Sequence, residues 1–236
     1  MSVASQRKKI DDLMDKASES LARTAYFEAE RMAHKALGMA RQENDFYRMA
    51  RIVMPLLEAR RQRFQMALDV KKVVVLDGEV TEDMKIKPGC YLVQPPLVGA
   101  DARRFRLSAL HREIPVAVVC REPLTQLRLC PIVTIAPAGS IRTKIEPPED
   151  VDHPSMEWFV MALEELGNFA IDSIDPELTP ERRVDVLLSH LDGIPEHEEL
   201  HRCLEEACRA AHDAGKKEPA EEDDSSRGGN ENNIDS

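Results

Sequence analysis

The chain has 236 residues, 42% of them hydrophobic and 32% charged, with a net charge of −11, a composition that fits a globular protein of one large or two small domains. No apolar run approaches the roughly 18 residues needed to span a bilayer, and the opening MSVASQRKKIDDLMDK lacks the apolar stretch of a signal peptide, so a cytoplasmic protein without a membrane anchor is expected. The five cysteines, Cys90, Cys120, Cys130, Cys203 and Cys208, are odd in number and show no CxxC spacing, which argues for reduced, buried thiols rather than a disulfide framework or a zinc ribbon.

Charge is unevenly placed: +5 over residues 1–72, neutral over 73–150, −12 over 151–213 and −4 from Ala214 onward. Two readings follow. Either the basic N-terminal layer packs against the acidic C-terminal layer, or the two faces recruit partners of opposite charge. Nucleic acid is an unfavourable partner, because the overall field repels phosphate. The basic run Arg60-Arg61-Gln62-Arg63 is read as a solvated helix face.

Ile10, Leu13, Met14, Ala17 and Leu21 recur at helical spacing. A second helix follows Thr24, with Ala29, Met32, Ala33, Ala36, Leu37 and Ala40 on one face. A third starts near Asp45 and turns Phe46, Ala50, Val53, Met54 and Leu57 inward. The short gaps force antiparallel neighbours. Pro55 lies inside the third helix, where a kink is expected because Leu56, Leu57, Phe64 and Ala67 continue the period.

Tyr26, Ala29, Ala33 and Ala36, with Ala17 as the small residue of the preceding helix, resemble a tetratricopeptide repeat over about residues 13–55. Lys16 and Ser20 stand where that family carries apolar and aromatic residues, and no proline closes the unit near Ala40. The resemblance implies helical hairpins that present a protein-binding groove. Such arrays need about three repeats to bury a continuous core, so this unit is expected to lean on the rest of the chain.

The period then changes. Val73–Leu76 is a β-branched run ending at the turn Asp77-Gly78, and Cys90–Val93 is a second strand after Pro88-Gly89. Asp101 is expected to cap a helix carrying Phe105, Leu107, Leu110 and Ile114, followed by a strand at Val116–Cys120. Strand, helix and strand in this order predict a βαβ unit with a parallel pair. Ile132–Ile135 adds a strand, and Pro137–Ser140 turns the chain into Ile141–Ile145 as an antiparallel edge. Continuously apolar strands need cover on both sheet faces, which the flanking helices would supply.

Pro154 and Ser155 open a helix through Trp158 and Leu166, with Gly167 as a stop or hinge. Thr179-Pro180 starts another that ends at Asp192-Gly193. Pro195 would start the last helix, running to about Ala214, and the polar remainder is read as a disordered acidic tail. The expected fold is α+β and predominantly helical. Its segments are a helical-hairpin unit (1–70), a small α/β unit with a central βαβ-containing sheet (71–150), C-terminal helices (151–214) and the tail (215–236).

His197-Glu198-Glu199-Leu200-His201 matches H-E-x-x-H, the pattern in which two histidines on one helix face bind zinc and the glutamate activates water. It marks His197 and His201 as candidate metal ligands, with Glu198 as base. Against zinc, no third histidine follows at the family's spacing, and His212 lies about 16 Å further along the same helix. The favoured reading is two interfacial histidines flanking a helix whose buried side is Leu200, Leu204, Ala207 and Ala211. A second candidate is the strand-to-helix loop with Gly99, Arg103 and Arg104, where free N–H groups and two arginines could hold an anion. It lacks GxGxxG and GxxxxGK[ST], which favours a capped structural helix. No set of residues completes the roles of a catalytic site. The leading functional expectation is a non-catalytic protein-protein interaction or scaffold module, with a protein partner or self-association. The alternatives are a small α/β enzyme or anion-binding domain at Gly99–Arg104, and an HExxH zinc hydrolase.

Overall fold

The computed structural model describes residues 3–81 and 83–217. Three helices open the chain, α1 (Val3–Ala22), α2 (Tyr26–Gln42) and α3 (Phe46–Leu68). Their two connections are built alike. Thr24 and Asn44 take positive φ of 59° and 53°, and the amides of Ala25 and Asp45 reach back to the carbonyls of Ser20 and Ala40 at 2.8 and 2.9 Å. This is the helix-ending arrangement in which a left-handed residue satisfies the last free carbonyls. Asp45 then caps α3 by accepting from the Arg48 amide at 3.1 Å. Ala29, Ala33, Ala36 and Ala40 of α2 are sealed from solvent, and their small size lets α1 and α3 approach α2 closely. Pro55 does not interrupt α3, which stays helical from Phe46 to Leu68.

A five-stranded sheet follows, in the order β1 (Val73–Leu76), β2 (Gly89–Val93), β3 (Val116–Arg121), β4 (Cys130–Ala136), β5 (Gly139–Ile145). The first three strands are parallel, and β4 and β5 are antiparallel to their neighbours. Helix α4 (Gly99–His111) makes the βαβ crossover between β2 and β3. Alternation along the strands divides the interior in two. Cys90, Leu92, Ala117, Val119 and Ile132 face a large core shared with α1–α3 and the C-terminal helices. Tyr91, Val93, Val116, Cys120 and Val133 face a smaller core closed by Phe105 and Ala109 of α4. Cover on this second face comes partly from loop residues, since Val80 and Ile86 are buried there. Asp101 caps α4 from inside it: the helix starts at Gly99, and the Asp101 carboxylate accepts from the Val98 amide at 2.9 Å.

The C-terminal helices are α5 (Met156–Asp172), α6 (Pro180–Gly193) and α7 (Glu198–Lys217). Ser155 and Thr179 cap α5 and α6 as their sequence context predicts. Gly167 is not a stop, because α5 runs on to Asp172. Helix α7 starts at Glu198 rather than at Pro195, and it includes residues 215–217 that the sequence assigned to the tail; the rest of that tail, 218–236, lies outside the described residues. Trp158, Leu166, Leu187 and Leu204 belong to the same buried cluster as Ile10, Met49 and Ile132, so the N-terminal hairpins share their core with the sheet and the last three helices. The described helices include none long and apolar enough to cross a membrane.

Candidate binding cleft

The basic and acidic layers meet through specific pairs. Arg41 of α2 grips Asp185 of α6 with two hydrogen bonds of 2.7 and 2.9 Å. Arg61 of α3 does the same to Glu198 of α7 at 2.8 and 3.0 Å. Beneath these exposed pairs lies a buried set. Glu30 of α2 accepts from Arg60 at 3.0 Å and from Arg63 through its other oxygen, and all three residues are under 9% exposed. Arg60 and Arg63 therefore do not form the solvated face that the run Arg60–Arg63 suggested. They occupy the stripe Val53, Leu56, Arg60, Arg63 and Ala67, all buried, and the shared carboxylate is what permits it. Ionised groups removed from water need such partners, because their desolvation costs several kcal/mol each. Burial pulls both guanidinium pKa values down to about 10, which still leaves them protonated at neutral pH.

Three further groups join the set. Arg106 of α4 donates to the backbone carbonyl of Asp192. Glu196, in the loop before α7, lines a small cavity together with Arg60 and Arg63. Its carboxyl is raised by burial against the opposing pull of Arg106, Arg63 and Arg60. His201 is wholly buried and sits 3.2 Å from Arg60 through Nε2 and 2.9 Å from the His197 carbonyl through Nδ1. Arginine can only donate, so Nε2 accepts and the ring proton resides on Nδ1. Burial first, and the charge of Arg60 second, push the His201 pKa down to about 3, so the ring is neutral.

Above this set opens a cleft of about 670 Å³ between α2, α3 and α4. Its α2 wall carries Phe27, Arg31, His34 and Lys35; Arg60 reaches it from α3, and Arg106, Leu107, Leu110 and His111 form the α4 wall. Asp192 closes the α6 side. Arg31 spans from α2 to Glu113, just beyond α4, at 2.9 Å. The two lining carboxylates, Glu30 and Asp192, are held by Arg60 with Arg63 and by Arg103. What remains facing the space is cationic on one part and apolar on another. His34 is exposed at the rim, and partial desolvation, followed by the charge of Arg60, lowers its pKa.

Gly99, Arg103 and Arg104 do not line the cleft. Gly99 is a packing position: a Cβ there would lie 3.2 Å from Ile135 of β4. Arg103 is bound to Asp192 at 2.7 Å, whereas Arg104 makes an exposed surface pair with Asp101 at 2.9 Å. The next turn of the same helix, at Arg106, reaches the cleft instead.

The two histidines of the H-E-x-x-H pattern are buried, His197 at 3% exposure, while Glu198 and Glu199 between them face solvent at least in part. His197 precedes α7 and serves as its cap, its Nδ1 accepting from the Leu200 amide at 3.2 Å. Its Nε2 lies 3.3 Å from a Glu164 oxygen without forming a well-aligned hydrogen bond. Glu198 is tied to Arg61. The acceptor nitrogens of both rings thus already serve protein donors. No group of three metal-ligating side chains suited to an ion occurs among the described residues.

No protein-family model matches the sequence, and neither the curated proteins nor the solved structures yield a significant match.

Proposed function

We propose that this chain is a non-catalytic interaction module that docks a partner protein in the cleft between α2, α3 and α4. The observation that carries the reading is the lining itself. It supplies binding groups, a cationic part next to an apolar part, while its carboxylates are engaged by arginines. The resemblance of α1–α3 to tetratricopeptide helices supports the same use, since paired helices present grooves rather than reaction centres. A cytoplasmic setting, with thiols kept reduced, suits the five free cysteines.

The alternative of a small α/β enzyme or anion site at Gly99–Arg104 draws less support, because those residues are spent on packing and internal ion pairs. Cross-linking and co-purification of the full chain test the docking reading. A stoichiometric partner that Lys35→Glu releases is expected. Absence of any stoichiometric partner and of self-association overturns it.

A further inference from the structure

We propose that the cleft selects an acidic peptide segment with a large apolar side chain next to its carboxylate, and that Arg106 is the anchor for that carboxylate. This rests on the docking reading above and names the chemistry of the partner. Among the described residues, the other cleft arginines already have carboxylates: Arg60 holds Glu30 and Arg31 holds Glu113. Arg106 makes no ion pair within 4.0 Å among those residues; its hydrogen bond goes to a backbone carbonyl, and the charges of Glu196 and Asp192 act on it only from further off. That bond fixes one end of the guanidinium and leaves further N–H donors on the group. Lys35, on the opposite wall, is exposed and also without an ion pair among the described residues.

The apolar part is Phe27, Leu107 and Leu110. Phe27 is braced, since the Arg63 guanidinium lies over its ring at 4.5 Å. A fixed aromatic beside a fixed cation recognises an apolar side chain and an anion together, with little ordering cost on the receptor side. The chain as a whole carries −11, so its field opposes a long polyanion, whereas a segment with one or two carboxylates feels chiefly the local cations. Charge complementarity therefore favours a short acidic peptide over nucleic acid.

The test is titration of the full chain with a labelled, end-blocked peptide containing glutamate next to phenylalanine and leucine. Its controls are the glutamine counterpart, an alanine counterpart of the apolar positions, and inorganic phosphate. The acidic peptide is expected to bind about tenfold or more tighter than either counterpart, the size of one charge-assisted hydrogen bond. Arg106→Gln and, on the exposed rim, Lys35→Glu should each erase most of that preference, while Arg106→Lys keeps part of it. Equal binding of the glutamine peptide, no binding of the acidic peptide, or competition by phosphate as strong as by the peptide overturns the proposal. So does binding that appears only after removal of residues 218–236, because this chain's own acidic end would then be the occupant. Loss of the charge preference with partner capture intact defeats the peptide chemistry alone. Partner capture indifferent to Lys35→Glu defeats the docking reading itself.

Discussion

The imidazole of His197 occupies the space that a side chain at position 167 would need: a Cβ built on Gly167 would lie 2.1 Å from its Cδ2. The glycine in α5 is thus a socket for the residue that caps α7. Gly167→Ala is expected to lower stability by about 1–3 kcal/mol through overpacking, although alanine is the better helix former. In a His197→Ala background the same change should cost much less, and urea unfolding of the four proteins measures the coupling. Equal costs in both backgrounds would contradict the socket.

Glu30 holds two buried arginines. Glu30→Gln removes the carboxylate that both arginines bind directly and leaves chiefly the more distant charge of Glu196, and a loss of about 3–5 kcal/mol is expected. Replacing all three residues by apolar ones of similar volume should recover most of it, because desolvation of the charges then disappears with them. Chemical denaturation of the single and triple variants checks the difference. A single variant as stable as the parent would remove the buried pair from the account.

His201 makes stability depend on pH. Its folded pKa, pushed down to about 3 by burial, lies below the unfolded value near 6.5. The unfolded chain therefore binds the proton more readily between these values. The stability is fully present above about pH 6.5 and declines on acidification, by up to about 1.4 kcal/mol per pH unit from this group. Glu196 acts in the opposite sense, because burial raises its pKa, and its contribution declines as pH rises. The His201 term is isolated by comparing urea midpoints of the wild type and His201→Asn from pH 7 to 4.5. The wild type should lose more. Parallel curves would contradict a neutral, buried His201.

The thiols should be slow. Burial raises the Cys90, Cys120 and Cys208 pKa values to about 12, and those of Cys130 and Cys203 also rise. Only the thiolate attacks a disulfide reagent. At pH 7.5 the native protein is expected to react first at Cys203, which is partly accessible, with the others following only on unfolding. Mass mapping of a thiol label decides this, and rapid labelling of Cys90 or Cys208 would contradict it.

Much of the fold was legible because its signals are local. The period change at Val73, the helix starts at Asp45 and Ser155, the cap Thr179, and the strand-helix-strand run over Cys90–Cys120 each depend on neighbours in sequence. Asp101 misled because a carboxylate can cap from the third helical position as well as from the residue that precedes the first. The cleft was harder to read, since it joins α2 and α3 to α4 across the two intervening strands β1 and β2. Its signal was present all the same. Arg60 and Arg63 continue the three-four spacing of Val53 and Leu56, and His197 and His201 precede Leu204, Cys208 and Ala211 in the same rhythm. Charged or titratable residues on an apolar stripe point to a buried ionic set, but sequence alone does not say that Glu30 meets them. The helical spacing of apolar residues placed the hairpins and could not place α4 against them.

The most direct test of the docking account is a photo-crosslinker placed at Leu110, on the apolar wall of the cleft, with a control at Leu127, 82% exposed and outside it. The account predicts one stoichiometric adduct from position 110, reduced by Lys35→Glu, and none of comparable yield from position 127. Equal adducts from both positions, or an adduct at 110 that ignores Lys35→Glu, would contradict it.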